Sequence, residues 1–117
     1  MDPRRLDIKT PANTSSALSA FSEPREAATV ALFNGHEVMV AKARGAYPWH
    51  KHEDTDDFFL VLKGQLTIEM RDRSVHLGPG GLFVVPRGVE HRPVAEDEAH
   101  FLLIEPPGTA DGGTTVL

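Results

Sequence analysis

Between Thr29 and Glu105, turn-forming residues cut the chain into strand-like runs of only four to seven residues. That constraint leaves little room for helices and favours a fold of many short strands. Asn34-Gly35 separates Thr29–Phe33 from Glu37–Ala43. The dipeptide is a strong hairpin signal, because a type I′ turn needs positive φ at both central residues. Lys63-Gly64 ends the apolar run Phe58–Leu62, and Asp72-Arg73 separates Gln65–Arg71 from Ser74–Leu77. Gly78-Pro79-Gly80-Gly81 precedes Leu82–Val85, Pro86-Arg87-Gly88 turns the chain again, and Ala99–Glu105 is the last apolar run. In Gln65–Arg71, Leu66, Ile68 and Met70 share one face while Thr67, Glu69 and Arg71 take the other. The pattern predicts an all-β, antiparallel sandwich or barrel of seven or eight strands. Phe58–Leu62 and Phe101–Ile104 are apolar on both faces. An antiparallel sheet leaves one face wet, so these runs predict that the outer face is covered, by an N-terminal arm or a second subunit.

Residues 1–27 read as an arm, 28–107 as one β domain and 108–117 as an extended tail. Within the arm, Ser15–Phe21 predicts one or two helical turns, capped by Thr14 or Ser15, with Leu18 and Phe21 on one face. The 117 residues support a single core. Twelve basic against 17 acidic residues give a net charge of −5, which offers phosphate backbones no electrostatic attraction and argues against nucleic acid as a partner. The absence of cysteine excludes disulfides, thiolate metal sites and cysteine nucleophiles. No apolar run reaches membrane-spanning length, and the start of the chain lacks a signal-peptide core. The expectation is therefore a cytoplasmic protein without membrane contact.

The chemistry concentrates in Trp49-His50-Lys51-His52-Glu53-Asp54-Thr55-Asp56-Asp57. Residues two apart on an extended segment point the same way, so His50 and His52 present two imidazoles to one face. Asp57 opens the next apolar run, and His91 follows the Pro86-Arg87-Gly88 turn. In a small barrel these positions can meet at one mouth, and imidazole with carboxylate suits a divalent transition metal. Glu53, Asp54 and Asp56 read as a solvated loop, with Asp56 a substitute ligand. His36, His76 and His100 read as structural or surface residues. Tyr47 and Trp49 are expected in core packing, a pocket wall or a dimer contact; Arg87 and Arg92 read as surface arginines or as a fork for an anionic substrate. Glu90 should point away from His91 by strand alternation.

Gly45-Ala46-Tyr47-Pro48-Trp49-His50-Lys51-His52, followed by Asp57 and Gly64, resembles the first cupin motif. Gly80-Gly81-Leu82-Phe83-Val84-Val85-Pro86-Arg87-Gly88-Val89-Glu90-His91 resembles the second. The likeness spans roughly Gly35 to Glu105 and is nearest to small single-domain bacterial cupins of the type-2 class, many loosely described as sugar-phosphate isomerase-like. It implies a jelly-roll barrel, commonly dimeric, often with a metal inside. Three departures stand out. Asp57 replaces the family's usual Glu and reaches about 1.5 Å less. Gly45 lies one residue closer to His50 than usual, and Ala95 stands where the second motif often ends in Asn.

Together these readings give one divalent ion per chain (Zn, Mn, Fe, Ni, Co or Cu) held by His50, His52 and His91, with Asp57 either a fourth ligand or an acceptor for a histidine N–H. An apolar cavity lined by Phe59, Val61, Leu66, Ile68, Phe83 and Leu103, or their neighbours, is expected to take a small molecule. An open metal position suits an isomerase, lyase or oxygenase. The alternatives are a non-catalytic binding or sensor cupin with a structural metal or none, and a plain β domain with incidental histidines. The protein is expected to be a homodimer.

Overall fold

A computed structural model describes residues 11–23 and 26–106, together with the backbone of 114–115. The expected start of the arm and most of the expected tail lie outside the described residues. The elements are one short helix, α1 (Thr14–Ser19), and nine strands among the described residues. The strands are β1 (Ala27–Phe33), β2 (His36–Ala46), β3 (His50–Lys51), β4 (Asp57–Lys63), β5 (Leu66–Met70), β6 (Ser74–Leu77), β7 (Leu82–Val85), β8 (His91–Glu105) and β9 (Thr114–Thr115). All pairings are antiparallel.

β8 organises the sheet. Its C-terminal half pairs with β2 and β4, from Glu105 opposite Glu37 to Leu102 opposite Leu60. Its N-terminal half pairs with β5, β3 and the end of β2. The strand therefore carries the chain from the β2–β4 region to the β3–β5 region and closes the barrel around a single core. Leu66, Ile68, Val61, Val85 and Ala99 are at most 1% exposed, and Phe59 and Phe101 stack against each other with ring centroids 5.6 Å apart. Each fully buried aliphatic side chain contributes about 1.5–3 kcal/mol of hydrophobic stabilisation.

The strand reading of Ala99–Glu105 extends eight residues further toward the N-terminus. Pro93 and the acidic run Glu96-Asp97-Glu98 argue locally against a strand, yet Arg92–Ala95 pair with β5 and β2, and the exposed acids fall where the β2–β8 register slips between Ala95 and Ala99. Ala95, where the second motif often ends in Asn, lies inside β8 and is 1% exposed. The Asn34-Gly35 turn has the expected positive φ at both residues, 51° and 78°. Gly45 takes a φ of 81° where the β2–β8 register slips between Ala43 and Gly45, so its displaced spacing marks a bulge. Gly64 has a φ of 84° and its backbone packs so closely that an added Cβ would meet the Glu98 carbonyl at 2.9 Å.

The helix forms one residue before its expected cap. Asn13 takes that role, its Oδ1 accepting the Ser16 N–H at 2.9 Å. Leu18 is buried at 6% exposure beneath α1. Phe21 lies beyond the helix, where Lys42 donates to its carbonyl and sits over its ring. The arm thus covers part of the outer face of β2. The face of β4 and β7 stays apolar and open: Val84 lies opposite Phe58, and Leu82 opposite Leu60. Leu82 is 52% and Val84 38% exposed.

Candidate metal centre

Register explains why His50 and His91 meet. The two residues are direct partners on β3 and β8, and Met70 on β5 lies opposite His91 on its other side. Cross-strand partners put their side chains on the same face, here the interior. His50 and His91 have ring centroids 4.4 Å apart. His52, just beyond β3, brings its ring to 5.3 Å from His50 and 5.9 Å from His91. Asp57 enters from the first residue of β4 and is 6% exposed. Ligand atoms of His50, His52, Asp57 and His91 all lie within 4.8 Å of one another, forming a cluster positioned to bind a metal.

Two backbone carbonyls set the histidine tautomers. Nδ1–H of His50 donates to the Pro48 carbonyl at 2.9 Å, and Nδ1–H of His91 donates to the Val89 carbonyl at 2.9 Å. Each contact reaches back two residues and turns the Nε2 lone pair inward, as metal-ligating histidines require. His91 Nε2 lies 2.8 Å from Asp57 Oδ2, and His52 Nε2 lies 3.3 Å from the same oxygen. A neutral imidazole carries one N–H, yet both His91 nitrogens face oxygen acceptors. Something positive belongs at Nε2, either a second proton or a metal ion. The carboxylate and the imidazole nitrogens thus have the chemistry that fits a divalent cation, and Asp57 reaches them despite its short side chain.

The electrostatics agree. Burial pushes the Asp57 carboxyl upward, but hydrogen bonds and charge from His52 and His91 outweigh it and hold the carboxyl below its ordinary value. Burial pushes the His50 imidazole below its ordinary value, with the nearby His91 adding to the effect and the Pro48 contact opposing it. His50 therefore favours the neutral form, which is the ligating form.

Residues around the cluster hold its loops in place. Gly88 N–H donates to the His52 carbonyl at 2.7 Å, tying the turn before His91 to the first histidine segment. Asp56 Oδ1 accepts the Arg87 N–H at 2.9 Å. Asp56 is thus a clamp on that turn rather than a substitute ligand. Glu53 pairs with Lys51 on the surface.

On the outer face of the same strands, Trp49 carries the Arg71 guanidinium at 3.9 Å and the Arg92 guanidinium at 5.1 Å from its ring centroid. Arg92 bonds Glu69 at 2.6 Å and Arg71 bonds Glu90 at 3.1 Å. Glu90 points away from His91, as alternation requires. Of the two readings for the arginines, the structure supports the surface one: Arg92 is committed to this outer stack, and Arg87 is exposed with its backbone held by Asp56. Trp49 belongs to the stack rather than a pocket wall. Tyr47 packs against the core and donates to the Lys42 carbonyl at 3.3 Å.

Phe59, Val61, Leu66 and Ile68 are the packed core, with Phe83 and Leu103 against it. Phe59 meets the metal cluster edge-on, its ring centroid 6.2 Å from that of His91. His36 bonds the Asn34 carbonyl, His76 the Thr67 hydroxyl and His100 the Glu98 carboxylate, all away from the cluster.

Comparisons with known proteins place this geometry. The chain is 35% identical over 65 residues to the uncharacterised protein YdbB of Bacillus subtilis (strain 168), an overlap of 55% of this chain and 58% of that protein. The chain thus spans less than two thirds of the length of that curated relative. A crystal structure of a cupin-2 domain protein from Shewanella frigidimarina NCIMB 400 superposes with a TM-score of 0.78 at 36% identity, covering 80% of this chain and 92% of the other. Protein NMB1881 from Neisseria meningitidis superposes with a TM-score of 0.73 at 28% identity, covering 80% and 96%. The family model described as the cupin domain matches residues 36–105, the span that runs from the hairpin through both histidine segments to the end of β8. With more than half of its length inside that match, the chain belongs to the cupin family.

Proposed function

We propose that His50, His52, His91 and Asp57 hold one divalent transition-metal ion, and that the protein works through it on a small molecule. The observation that carries this reading is the Asp57 carboxylate set between the Nε2 atoms of His91 and His52, with His50 and His91 locked in the ligating tautomer. A bound ion would supply Lewis acidity toward a carbonyl or enol oxygen, or toward water. The chain's own residues orient the donors. Pro48 and Val89 fix two rings by their carbonyls, Gly88 and Asp56 hold the adjoining turn, and Phe59 shields one side. His50, the least buried member of the cluster, marks the side from which a small molecule enters.

The test is metal analysis of purified protein. One divalent ion per chain is expected, lost in His50→Ala and His91→Ala. Absence of bound metal at neutral pH, with both variants as stable as wild type, would overturn the reading. If the ion is enclosed by four protein ligands with no exchangeable position, the metal is structural and the protein is a binding or sensor module. Two solvent-exchangeable positions, counted by spectroscopy of the cobalt-loaded protein, favour an enzyme.

The protein is also read here as a homodimer. The open apolar pairs Phe58–Val84 and Leu60–Leu82 are the support, since a second copy would bury them. Light scattering should give twice the chain mass, reduced to one chain mass in Leu82→Glu.

A further inference from the structure

A cavity lies away from the histidine cluster, between α1 and the outer face of the sheet. Its volume is about 610 Å³. Lys42, Lys63 and His100 line its floor, Thr14, Ser15 and Leu18 its roof, with Leu62 at its side. The floor is unusual in register. His100 on β8 lies directly opposite Lys42 on β2 and directly opposite Lys63 on β4. Three basic side chains therefore stand in one row across three neighbouring strands. The two lysines flank the imidazole as cations on one face, a charge that calls for anions nearby.

The protein supplies only part of that counter-charge. Glu98 bonds His100 at 2.9 Å. Lys42 is 8% exposed and turns its ammonium to the Phe21 carbonyl and ring, which gives it a dipole and a π face, while the Glu98 carboxylate acts on it through charge from beyond ion-pair distance. Among the described residues, neither Lys42 nor Lys63 has a carboxylate at ion-pair distance, in a chain whose net charge is −5. The hydroxyl-bearing Thr14 and Ser15 line the cavity across from the lysines. Cations on one wall and hydroxyls on the other suit an anionic head group, since charge-assisted hydrogen bonds are the strong ones. The cavity has the size of a small-molecule site, far larger than an inorganic oxyanion needs. Leu18 and Leu62 offer the remaining volume an apolar wall.

From this juxtaposition we propose that the cavity under α1 binds a small organic anion, a phosphate ester or carboxylate with an apolar portion, by its head group on Lys63, His100 and Lys42. The site is separate from the metal cluster and stands or falls independently of it.

The experiment is a titration of the full chain followed by backbone amide shifts, with phenyl phosphate, hexanoate, inorganic phosphate and the neutral benzyl alcohol as probes. Saturable shifts centred on Leu18, Leu62, Lys63 and His100 are expected with phenyl phosphate or hexanoate, and the tighter of the two names the head group. Lys63→Gln, at an exposed strand end, should weaken that binding about tenfold without altering the fold. His50→Ala should leave it unchanged. Lys42→Gln adds a test of the arm itself, because Phe21 loses its tether. Absence of saturation up to about 10 mM overturns the proposal. So does binding that Lys63→Gln leaves intact, or inorganic phosphate or benzyl alcohol binding as tightly as the organic anions.

Discussion

Asp57→Asn removes a negative charge while keeping the shape of the side chain. In the structure Asp57 is 6% exposed, and its Oδ2 sits 2.8 Å from His91 Nε2 and 3.3 Å from His52 Nε2. If Asp57 is a ligand, the variant exchanges an anionic donor for a weak neutral one in a buried site. Changes to groups that only orient a ligand typically lower metal affinity 10–100-fold. A lost anionic ligand should exceed that range, so a loss of more than about 100-fold is expected, or more than about 2.7 kcal/mol at 1.36 kcal/mol per decade. The three histidines would remain, and three protein ligands still make a competent site. Stoichiometry should therefore stay at one ion per chain. Competition with a chromophoric chelator measures the affinity, with circular dichroism as the check on folding. Affinity within a factor of two of wild type, in a folded variant, would refute the assignment and leave Asp57 without a part in metal binding. A loss within 10–100-fold would put it in an orienting role.

Acid should act in two windows. The His50 imidazole is held below its ordinary value of 6.5, so its contribution to stability is complete above 6.5 and is lost as pH falls through the lower folded-state value. The Asp57 carboxyl is held below 3.8, so its contribution persists to lower pH and is lost as pH falls through its own folded-state value. Urea unfolding of chelator-treated protein should show both declines, with the upper one absent in His50→Gln and the lower one absent in Asp57→Asn. Declines unchanged in these variants would remove the two groups from the account. Trp49→Ala should cost about 1–2 kcal/mol through its two guanidinium contacts and weaken metal affinity with all four cluster residues intact, because it backs the β3–β8 pair. Calorimetric titration checks the second effect, and wild-type stability and affinity would contradict it. Gly64→Ala should destabilise by about 1–3 kcal/mol, since its φ is 84° and the new Cβ would meet the Glu98 carbonyl at 2.9 Å. A wild-type urea midpoint would show that the backbone there yields freely.

How much of the site was legible in the sequence depended on whether the signal was local. Alternation placed Leu66, Ile68 and Met70 inward because a half-buried strand imposes a period of two. Asn34-Gly35 announced its turn because few other residues tolerate positive φ. The convergence of His50, His52, Asp57 and His91 was inferable from two histidine segments in the right order, each beside a turn. The first half of β8 was not, because Pro93 and three consecutive acids read locally as loop while their strand character comes from neighbours remote in sequence. That omission had consequences. Without a strand from His91 onward, Arg92 has no assigned face, and a substrate contact stays open beside a surface role. Once β8 begins at His91, alternation alone sends His91 inward and Arg92 outward to Glu69 and Trp49. The role of Asp56 is hidden for a related reason: it lies in the Arg87 N–H 31 residues away, a contact that no local pattern encodes. The same strand explains the row beneath α1. His100 falls between Lys42 and Lys63 only because β8 lies between β2 and β4, so both the metal centre and the basic cavity are consequences of where one long strand sits.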